Sequence, residues 1–327
     1  MTRRSGLTMT ELLVAIFVVA IGLAGVMSMV PFGAKQMSDA LVADRAASHA
    51  HTTDGMMRSI WREKVIDDTS GNGSGEPFWT ALVNPGNGLP LLGPTDPAAS
   101  YPVFIDPIGY GRSGGVNDNK NWVGDNGKAD TAIPRRTLND FPNADNAIRA
   151  WSQPDGFSWD EAQDSAVPVN GAAMREYRYN SLAVVQRPAN NQQNTATLKI
   201  VVFSNRRPRF FPTGSEAVIP QAANVIFTPG STAVQVPISQ IPASSEIRKG
   251  GWIMDGTVNS TFRHANFYRV VSALDNGSTN AGVAVLDIEL HTPIKRIDGG
   301  TSSYPATIVL FPGVAGVFER SLLTPNR

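Results

Sequence analysis

The longest hydrophobic segment of the chain lies near the N-terminus. Residues Leu12 to Val30 form a run of 19 without a charged side chain, and the uncharged stretch continues to Ala34. A helix of 19 residues rises roughly 28 Å, about the thickness of one bilayer hydrocarbon core. A buried helix of a soluble protein is the alternative, but at this length it would be expected to show a polar face. The segment is therefore predicted to span a membrane.

The pattern becomes amphipathic after this run. Between residues 35 and 68, apolar residues recur at steps of three and four with charged residues between them. This spacing predicts that the helix continues and lays one face on a sheet, ending near Asp67. Pro31 and Gly33 interrupt the pattern, so we expect a kink or short unwinding there. Three apolar residues near the end of the helix are predicted to belong to the core: Met57, Ile60 and Trp61.

Glycine and proline dominate the next part of the chain. They account for 25 of residues 71–171, so few regular elements can run far. One short strand is predicted at Tyr101 to Ile105. The rest is expected to form long surface loops with short strands and helical turns.

From residue 174 onward, stretches rich in β-branched and aromatic residues alternate with turn signals. Such stretches favour strands of an antiparallel sheet. A long helix followed by a sheet with meander connections predicts an α+β fold. The predicted strands are Arg175 to Arg187, Thr195 to Ser204, Val234 to Ile238, Gly251 to Met254, Phe267 to Leu274, Val283 to Leu290 and Thr307 to Phe311.

Composition excludes several classes of protein. The chain has 327 residues, enough for a large hydrophobic core, and its 28 basic side chains balance 28 acidic ones. This balance argues against a strongly basic nucleic-acid-binding protein. The absence of cysteine excludes disulfides, cysteine nucleophiles and thiolate metal sites.

Glu11 is out of place at the start of the apolar run. A charged side chain in the bilayer core costs roughly 2.5–3.5 kcal/mol on insertion scales, so an acidic residue here suggests a function. The alternative is that Glu11 lies at the membrane interface or caps the helix N-terminus, where the helix dipole favours a carboxylate. Arg3 and Arg4 precede it and predict a cytoplasmic N-terminus.

The segment around Glu11 resembles a known processing signal. The sequence Gly6-Leu7-Thr8-Met9-Thr10-Glu11-Leu12-Leu13 follows a short basic leader and opens the hydrophobic run. It is similar to the prepilin cleavage and methylation signal of type IV pilins and type II secretion pseudopilins, and looks most like that of a large minor pilin. In that family the leader ends in Gly and the fifth mature residue is Glu. Here Leu7 stands where Phe is commoner, and Thr10 replaces an aliphatic residue.

The resemblance implies roles for three residues. Prepilin peptidase, a membrane aspartic protease, would cut between Gly6 and Leu7 and methylate the Leu7 amine. Glu11 would serve processing and assembly, pairing with the N-terminal amine of a neighbouring subunit as the helix enters a filament. The implied partners are prepilin peptidase, other pilin or pseudopilin subunits, the assembly platform and the inner membrane.

The resemblance also implies the organisation of the chain. The protein would cross the cytoplasmic (inner) membrane once, with its N-terminus in the cytoplasm and its head outside, and would enter a filament after assembly. The predicted parts are a cytoplasmic leader (1–6), a transmembrane or filament-core helix (7–34), an amphipathic stalk helix (35–68), a Gly/Pro-rich loop region (69–172) and an antiparallel β head (173–327).

Other motifs give little support to a catalytic or cofactor site, and no cofactor is predicted. Gly109 to Gly114 fits G-x-G-x-x-G, but no helix is predicted after it to bind a pyrophosphate. The four histidines show no metal-ligand spacing. Asp118 to Asp130 could hold calcium through oxygen ligands, although it departs from the EF-hand pattern. Asn205 to Phe211 combines arginines with aromatic residues, but it is interpreted as a strand end, so nucleic acid is not an expected partner.

Two functions remain open from the sequence. The first is a structural subunit, a minor pilin or pseudopilin, of a type IV pilus or a type II secretion pseudopilus. A chain of this size is large for the repeating subunit of a thin filament, so a low-copy subunit is expected. The second is a membrane-anchored surface module that keeps the processing signal and binds carbohydrate, DNA or another cell through its Gly/Pro-rich loops. No constellation of residues supports an enzyme.

Overall fold

The computed structural model divides the chain into two compact units, Met1–Arg45 and Ala46–Arg327. The described residues are 8–68, 76–83, 101–106, 122–123, 133–138, 150–153, 157–158, 174–175, 178–187, 194–204, 217–242, 245–258, 263–280, 282–296 and 299–324. One long helix and several β-sheets give an α+β fold, as the sequence predicts.

The first helix, α1, spans Met9–Trp61, and one turn of π-helix follows at Arg62–Ile66. Its end agrees with the predicted one. The helix is continuous through Pro31 and Gly33, so a short unwinding there is wrong, whereas a kink at this point stays a prediction. A proline removes a single N–H donor, and the hydrogen bonds on either side preserve the rest of the helix. A second, short helix, α2, spans Pro77–Val83.

The described strands belong to the second unit. They are β1 (Pro102–Ile105), β2 (Trp122–Val123), β3 (Ile133–Arg136), β4 (Phe157–Ser158), β5 (Met174–Arg175), β6 (Tyr179–Gln186), β7 (Ala196–Ser204), β8 (Ala217–Ile219), β9 (Val225–Phe227), β10 (Ala233–Pro237), β11 (Trp252–Asp255), β12 (Asn266–Leu274), β13 (Thr279–Asn280), β14 (Val283–Leu290), β15 (Tyr304–Ala306), β16 (Ile308–Leu310) and β17 (Val314–Leu323). Every stretch predicted as a strand contains one.

Two large sheets organise these strands. The first has the order β17-β7-β6-β1-β3-β2, and the second has the order β10-β14-β12-β11-β16-β8 with β13 added beside β14. Neighbouring strands are antiparallel except β1 and β3, which are parallel. The expected meander, in which each strand pairs with the next in the chain, is wrong for part of the fold. β17 pairs with β7, and β16 pairs with β8. These pairings join segments far apart in the chain.

The two large sheets pack face to face. Strand residues alternate between faces, and the inward faces of both sheets share one apolar core. From the first sheet it includes Phe104, Leu182, Val184, Val201 and Phe203; from the second it includes Val218, Met254 and Val309. The other face of the second sheet is covered by β9 and β15 and holds a separate apolar cluster.

The last turns of α1 pack on the outer face of the first sheet. Buried residues recur along one face of the helix, and they are Ala46, His49, Ala50, Thr53, Met57, Ile60 and Trp61. The hydroxyls of Thr53 and Ser181 share a hydrogen bond of 2.8 Å, and Trp61 Nε1 donates to the Asn194 carbonyl at 3.2 Å. The prediction that Met57, Ile60 and Trp61 belong to the core is confirmed.

The described pieces of 71–171 are short elements, and the long surface loops expected between them lie outside the described residues. Short strands and a short helix are present, as predicted, but most of their side chains are buried. β1 lies between β6 and β3 in the first sheet, and Phe104 stacks on Phe311 at 6.2 Å between ring centroids. Buried residues from these pieces also include Phe78, Leu82, Tyr101, Ile133 and Trp151. This part of the chain thus contributes to the core.

Candidate functional site

The N-terminal turn of α1 holds the one predicted processing residue that the structure describes. Gly6 and Leu7 lie outside the described residues. Glu11 lies in the first turn of α1, three residues after Thr8 and at the start of the apolar run. The geometry of this turn therefore rests on Thr8 and Glu11.

Thr8 and Glu11 form a reciprocal cap. Glu11 Oε2 accepts hydrogen bonds from the Thr8 N–H at 2.8 Å and from the Thr8 hydroxyl at 2.9 Å. In return the Glu11 N–H donates to Thr8 Oγ1 at 3.4 Å. This is the capping-box arrangement, in which Ser or Thr precedes the helix and Glu follows three residues later. The capping alternative for Glu11 is confirmed, while its pairing with a neighbouring amine stays a prediction.

The helix after this cap exposes its apolar side chains. Within the described residues, α1 with its π turn (Met9–Ile66) is the one helix long and apolar enough to cross a membrane. Large apolar side chains more than half exposed include Leu12, Leu13, Val14, Ile16, Phe17, Val18, Val19, Ile21, Leu23, Val26, Met27, Met29, Val30 and Phe32. A continuous apolar surface of this size needs lipid or other apolar helices around it.

In the second unit, the carboxylate of Asp255, at the end of β11, contacts several polar groups. Asp255 Oδ2 accepts a hydrogen bond from the Tyr304 hydroxyl at 2.8 Å and contacts His264 Nδ1 at 2.6 Å. Oδ1 accepts from the N–H of Thr257 at 3.0 Å and from its hydroxyl. Burial first, and then the adjacent Asp255 carboxylate, raises the pKa of Tyr304. These contacts tie β11 to β15 and to the segment before β12.

Lys199 is a second polar group between the sheets. Its Nζ donates to the Ala265 carbonyl at 3.1 Å and to Asn266 Oδ1 at 3.2 Å. Glu319 Oε1 lies 4.0 Å away. Burial lowers the pKa of the Lys199 amine, and the nearby charge of Lys295 lowers it further, while Glu319 and Asp255 act in the opposite direction.

The other sequence-predicted candidates fall into two groups. The G-x-G-x-x-G stretch 109–114, the Asn205–Phe211 segment and all but residues 122–123 of the possible calcium loop lie outside the described residues. His49 is buried and contacts the Trp151 carbonyl at 3.2 Å, whereas His51 is exposed. In the part of the chain that the structure describes, no three His, Asp or Glu side chains are grouped to hold a metal.

Sequence reasoning missed both polar clusters of the second unit. Lys199 does carry a signal, since it is a charged residue in the otherwise apolar stretch Leu198 to Phe203. Asp255 and His264 stand nine positions apart without a motif, and Tyr304 comes from a distant strand. Only the sheet pairing brings these side chains together.

The comparisons with known proteins agree with the geometry of the N-terminal turn. Residues 1–27 match the family of the prokaryotic N-terminal methylation motif. No curated protein and no solved structure matches the chain. The motif and the single apolar N-terminal helix fit a membrane-anchored, single-pass protein. The chain thus carries a prepilin signal of the type IV pilin kind.

Proposed function

We propose that the protein is a structural subunit, a minor pilin or pseudopilin, that enters a type IV pilus or a type II secretion pseudopilus through α1. Prepilin peptidase cuts between Gly6 and Leu7 and methylates the new N-terminus. The head then lies on the outer side of the cytoplasmic membrane. The observation that carries this proposal is the methylation motif at residues 1–27, continuous with a helix whose apolar side chains are exposed.

The cap geometry supports a second use of the Glu11 carboxylate. Both of its hydrogen bonds go to Oε2, so Oε1 makes no hydrogen bond to another described residue. A carboxylate in an apolar environment is stabilised by a positive partner. The Leu7 amine of a neighbouring subunit is such a partner, and it exists only after cleavage. Processing therefore controls assembly.

Three variants separate capping from charge pairing. Glu11→Gln keeps an oxygen that can accept from the Thr8 N–H but loses the charge, Glu11→Ala loses both, and Thr8→Val loses only the hydroxyl. We expect both Glu11 variants to be absent from purified filaments, because each lacks the charge. Thr8→Val should still enter them, because a lost cap costs only about 1 kcal/mol. Wild-type incorporation of Glu11→Gln would contradict the pairing role.

The mass of the N-terminal peptide from membrane-extracted protein tests processing in the same samples. A peptide that begins at Leu7, with or without one methyl group, supports cleavage after Gly6. A peptide that begins at Met1 or Thr2 would indicate an uncleaved anchor and overturn the filament proposal. The surface binding module would then be the better explanation.

The size of the head supports a low-copy position in the filament. Heads that tile the surface of a thin filament must pack closely, which favours small heads. The second unit here, Ala46–Arg327, contains most of the chain. We therefore expect quantitative mass spectrometry of purified filaments to find far fewer copies of this chain than of the main subunit. Equal abundance would contradict this assignment.

A further inference from the structure

Lys199 lies on the face of β7 that is directed at the second sheet. Side chains two residues apart share a face of a strand, and Val201 and Phe203, on the same face, belong to the core between the sheets. The Lys199 side chain is only 14% exposed. Its amine is therefore held at the margin of an apolar layer.

The Lys199 amine lies beside a carboxamide with which it can react. Lys199 Nζ contacts the carboxamide oxygen of Asn266, the first residue of β12 in the second sheet, at 3.2 Å. Asn266 Nδ2 donates to the Lys295 carbonyl at 3.2 Å, which turns the carboxamide oxygen toward Lys199. The amine thus lies next to an oriented amide carbon.

A carboxylate completes the arrangement. Glu319 of β17 is the cross-strand partner of Lys199 in the first sheet, and its Oε1 lies 4.0 Å from Nζ. Its side chain is 75% exposed, so it can move and exchange protons with water. Such a group can act as a proton acceptor for the amine once small movements bring it within hydrogen-bond distance.

The environment favours the uncharged, nucleophilic form of the lysine. Burial is the main cause of the lowered pKa of the Lys199 amine. A desolvated lysine near another cation is a recognised way to activate an amine as a nucleophile. Fixed positions for the reacting groups provide the further advantage of proximity.

We propose that Lys199 and Asn266 form an intramolecular isopeptide bond, with Glu319 as the proton carrier. The neutral Nζ attacks Cγ of Asn266 and forms a tetrahedral intermediate. Glu319 takes a proton from Nζ and delivers it to Nδ2, after which the Cγ–Nδ2 bond breaks and ammonia leaves. Amine and primary amide become a secondary amide and ammonia, with no change of oxidation state and no cofactor.

The bond would connect the two large sheets covalently in a chain without cysteine. β7 lies in the first sheet and β12 in the second, so the link would close the chain between residues 199 and 266. A covalent link of this kind limits the unfolded state in the way that a disulfide does. It would also keep the sheets together under a pulling force.

Mass spectrometry of the full-length protein extracted from membranes in detergent tests the proposal directly. After trypsin digestion, we expect the peptide that contains Lys199 to be joined to the peptide that contains Asn266, at a combined mass one ammonia below the sum. Trypsin should fail to cut after Lys199. Separate peptides, with cleavage after Lys199 and an intact Asn266, would overturn the proposal.

Three variants assign the roles. Lys199→Arg keeps a cation but lacks the amine and should abolish the joined peptide. Glu319→Gln should reduce its yield at least tenfold in freshly made protein, and an unchanged yield would overturn the role of Glu319. Lys295→Arg is the matched control, because it keeps the neighbouring cation and the backbone carbonyl that holds Asn266, so the joined peptide should remain. Far-UV circular dichroism checks that each variant retains its sheets.

Discussion

Two tyrosines of the second unit, the buried Tyr268 and the half-buried Tyr304, have hydroxyls that resist ionisation. Burial raises the pKa of both Tyr268 and Tyr304, and for Tyr304 the Asp255 carboxylate that accepts a hydrogen bond from its hydroxyl reinforces the effect. The Tyr268 hydroxyl also accepts a hydrogen bond from the Lys295 N–H at 3.0 Å. Both hydroxyls therefore belong to the polar contacts that hold the second sheet together.

The raised pKa values predict loss of stability in alkali. The folded pKa of Tyr304 is above its unfolded value of about 10, so its contribution is complete below about pH 10 and is lost as the pH rises beyond it. Phenolate absorbance should show Tyr268 and Tyr304 titrating later than free tyrosine in the folded protein and normally in urea. Tyr304→Phe should weaken the alkaline fall in unfolding free energy, and an unchanged fall would refute the assignment.

At the same scale, the helix cap at Glu11 could be predicted from the sequence, whereas the polar clusters could not. Thr8 and Glu11 stand three residues apart, so a local rule relates them and the cap follows from the sequence. Lys199, Asn266 and Glu319 come from three strands, and no local rule relates them. Their proximity depends on the register of β17 against β7 and on the packing of the two sheets.

Among the elements, the end of α1 stabilises the free edge of the first sheet. Arg58 Nη2 donates to the carbonyl and the hydroxyl of Ser321, both at 2.9 Å, and Nη1 donates to the Leu322 carbonyl at 3.3 Å. Asp54 holds the guanidinium at 3.1 Å one helical turn earlier. The Ser321 and Leu322 carbonyls lie where the pairing of β17 with β7 is interrupted, and Arg58 gives both of them a hydrogen-bond donor.

Removing this arginine should loosen β17. Arg58→Ala is expected to lower the free energy of unfolding by about 1–2 kcal/mol, because hydrogen bonds from a charged donor are lost. Arg62→Ala is the matched control, since Arg62 is 70% exposed and its one ion pair among the described residues is with Asp67 at 3.5 Å; its cost should stay within about 0.5 kcal/mol. Urea unfolding measures both, and equal costs would contradict the role of Arg58.

β17 also shows where strand prediction fails. Its pairing with β7 shifts register between Val314 and Gly316 and again between Arg320 and Leu323. Each shift reverses the alternation of inward and outward side chains, so the strand shows no clean two-residue period. In other strands, buried and exposed side chains alternate more regularly, or the whole strand is apolar. The ends of such strands, β14 among them, are predicted nearly correctly.

For the whole molecule, the division into two units predicts an independently folding head. A fragment that begins at Ala46 keeps the buried face of α1 and omits the exposed apolar residues before it. We expect it to be soluble and monomeric by size-exclusion chromatography and to unfold cooperatively with heat. A fragment that begins at Arg62 lacks Met57, Ile60 and Trp61 and should fail to fold. Aggregation of the longer fragment would contradict the division.

The sequence predicts which elements exist but not how they are arranged. The helix, most long strands and the α+β class follow from local patterns. β1 and β3 belong to the first sheet and pair in parallel. This arrangement depends on contacts between segments that are separated in the chain by long stretches rich in turn-forming residues. The predicted boundaries at residues 6, 34, 68 and 172 stay predictions.

The position of β17 in chain order has a consequence for biosynthesis. Every described strand of the second sheet precedes β17, so a chain made from its N-terminus can complete that sheet while β7 still has an open edge. The open edge is Leu198 to Phe203, an apolar stretch in which Lys199 is the only charge. An unpaired edge of this composition is prone to join the same edge of another nascent chain. A charge within such an edge disfavours this pairing, so we expect Lys199→Leu to increase aggregation during synthesis.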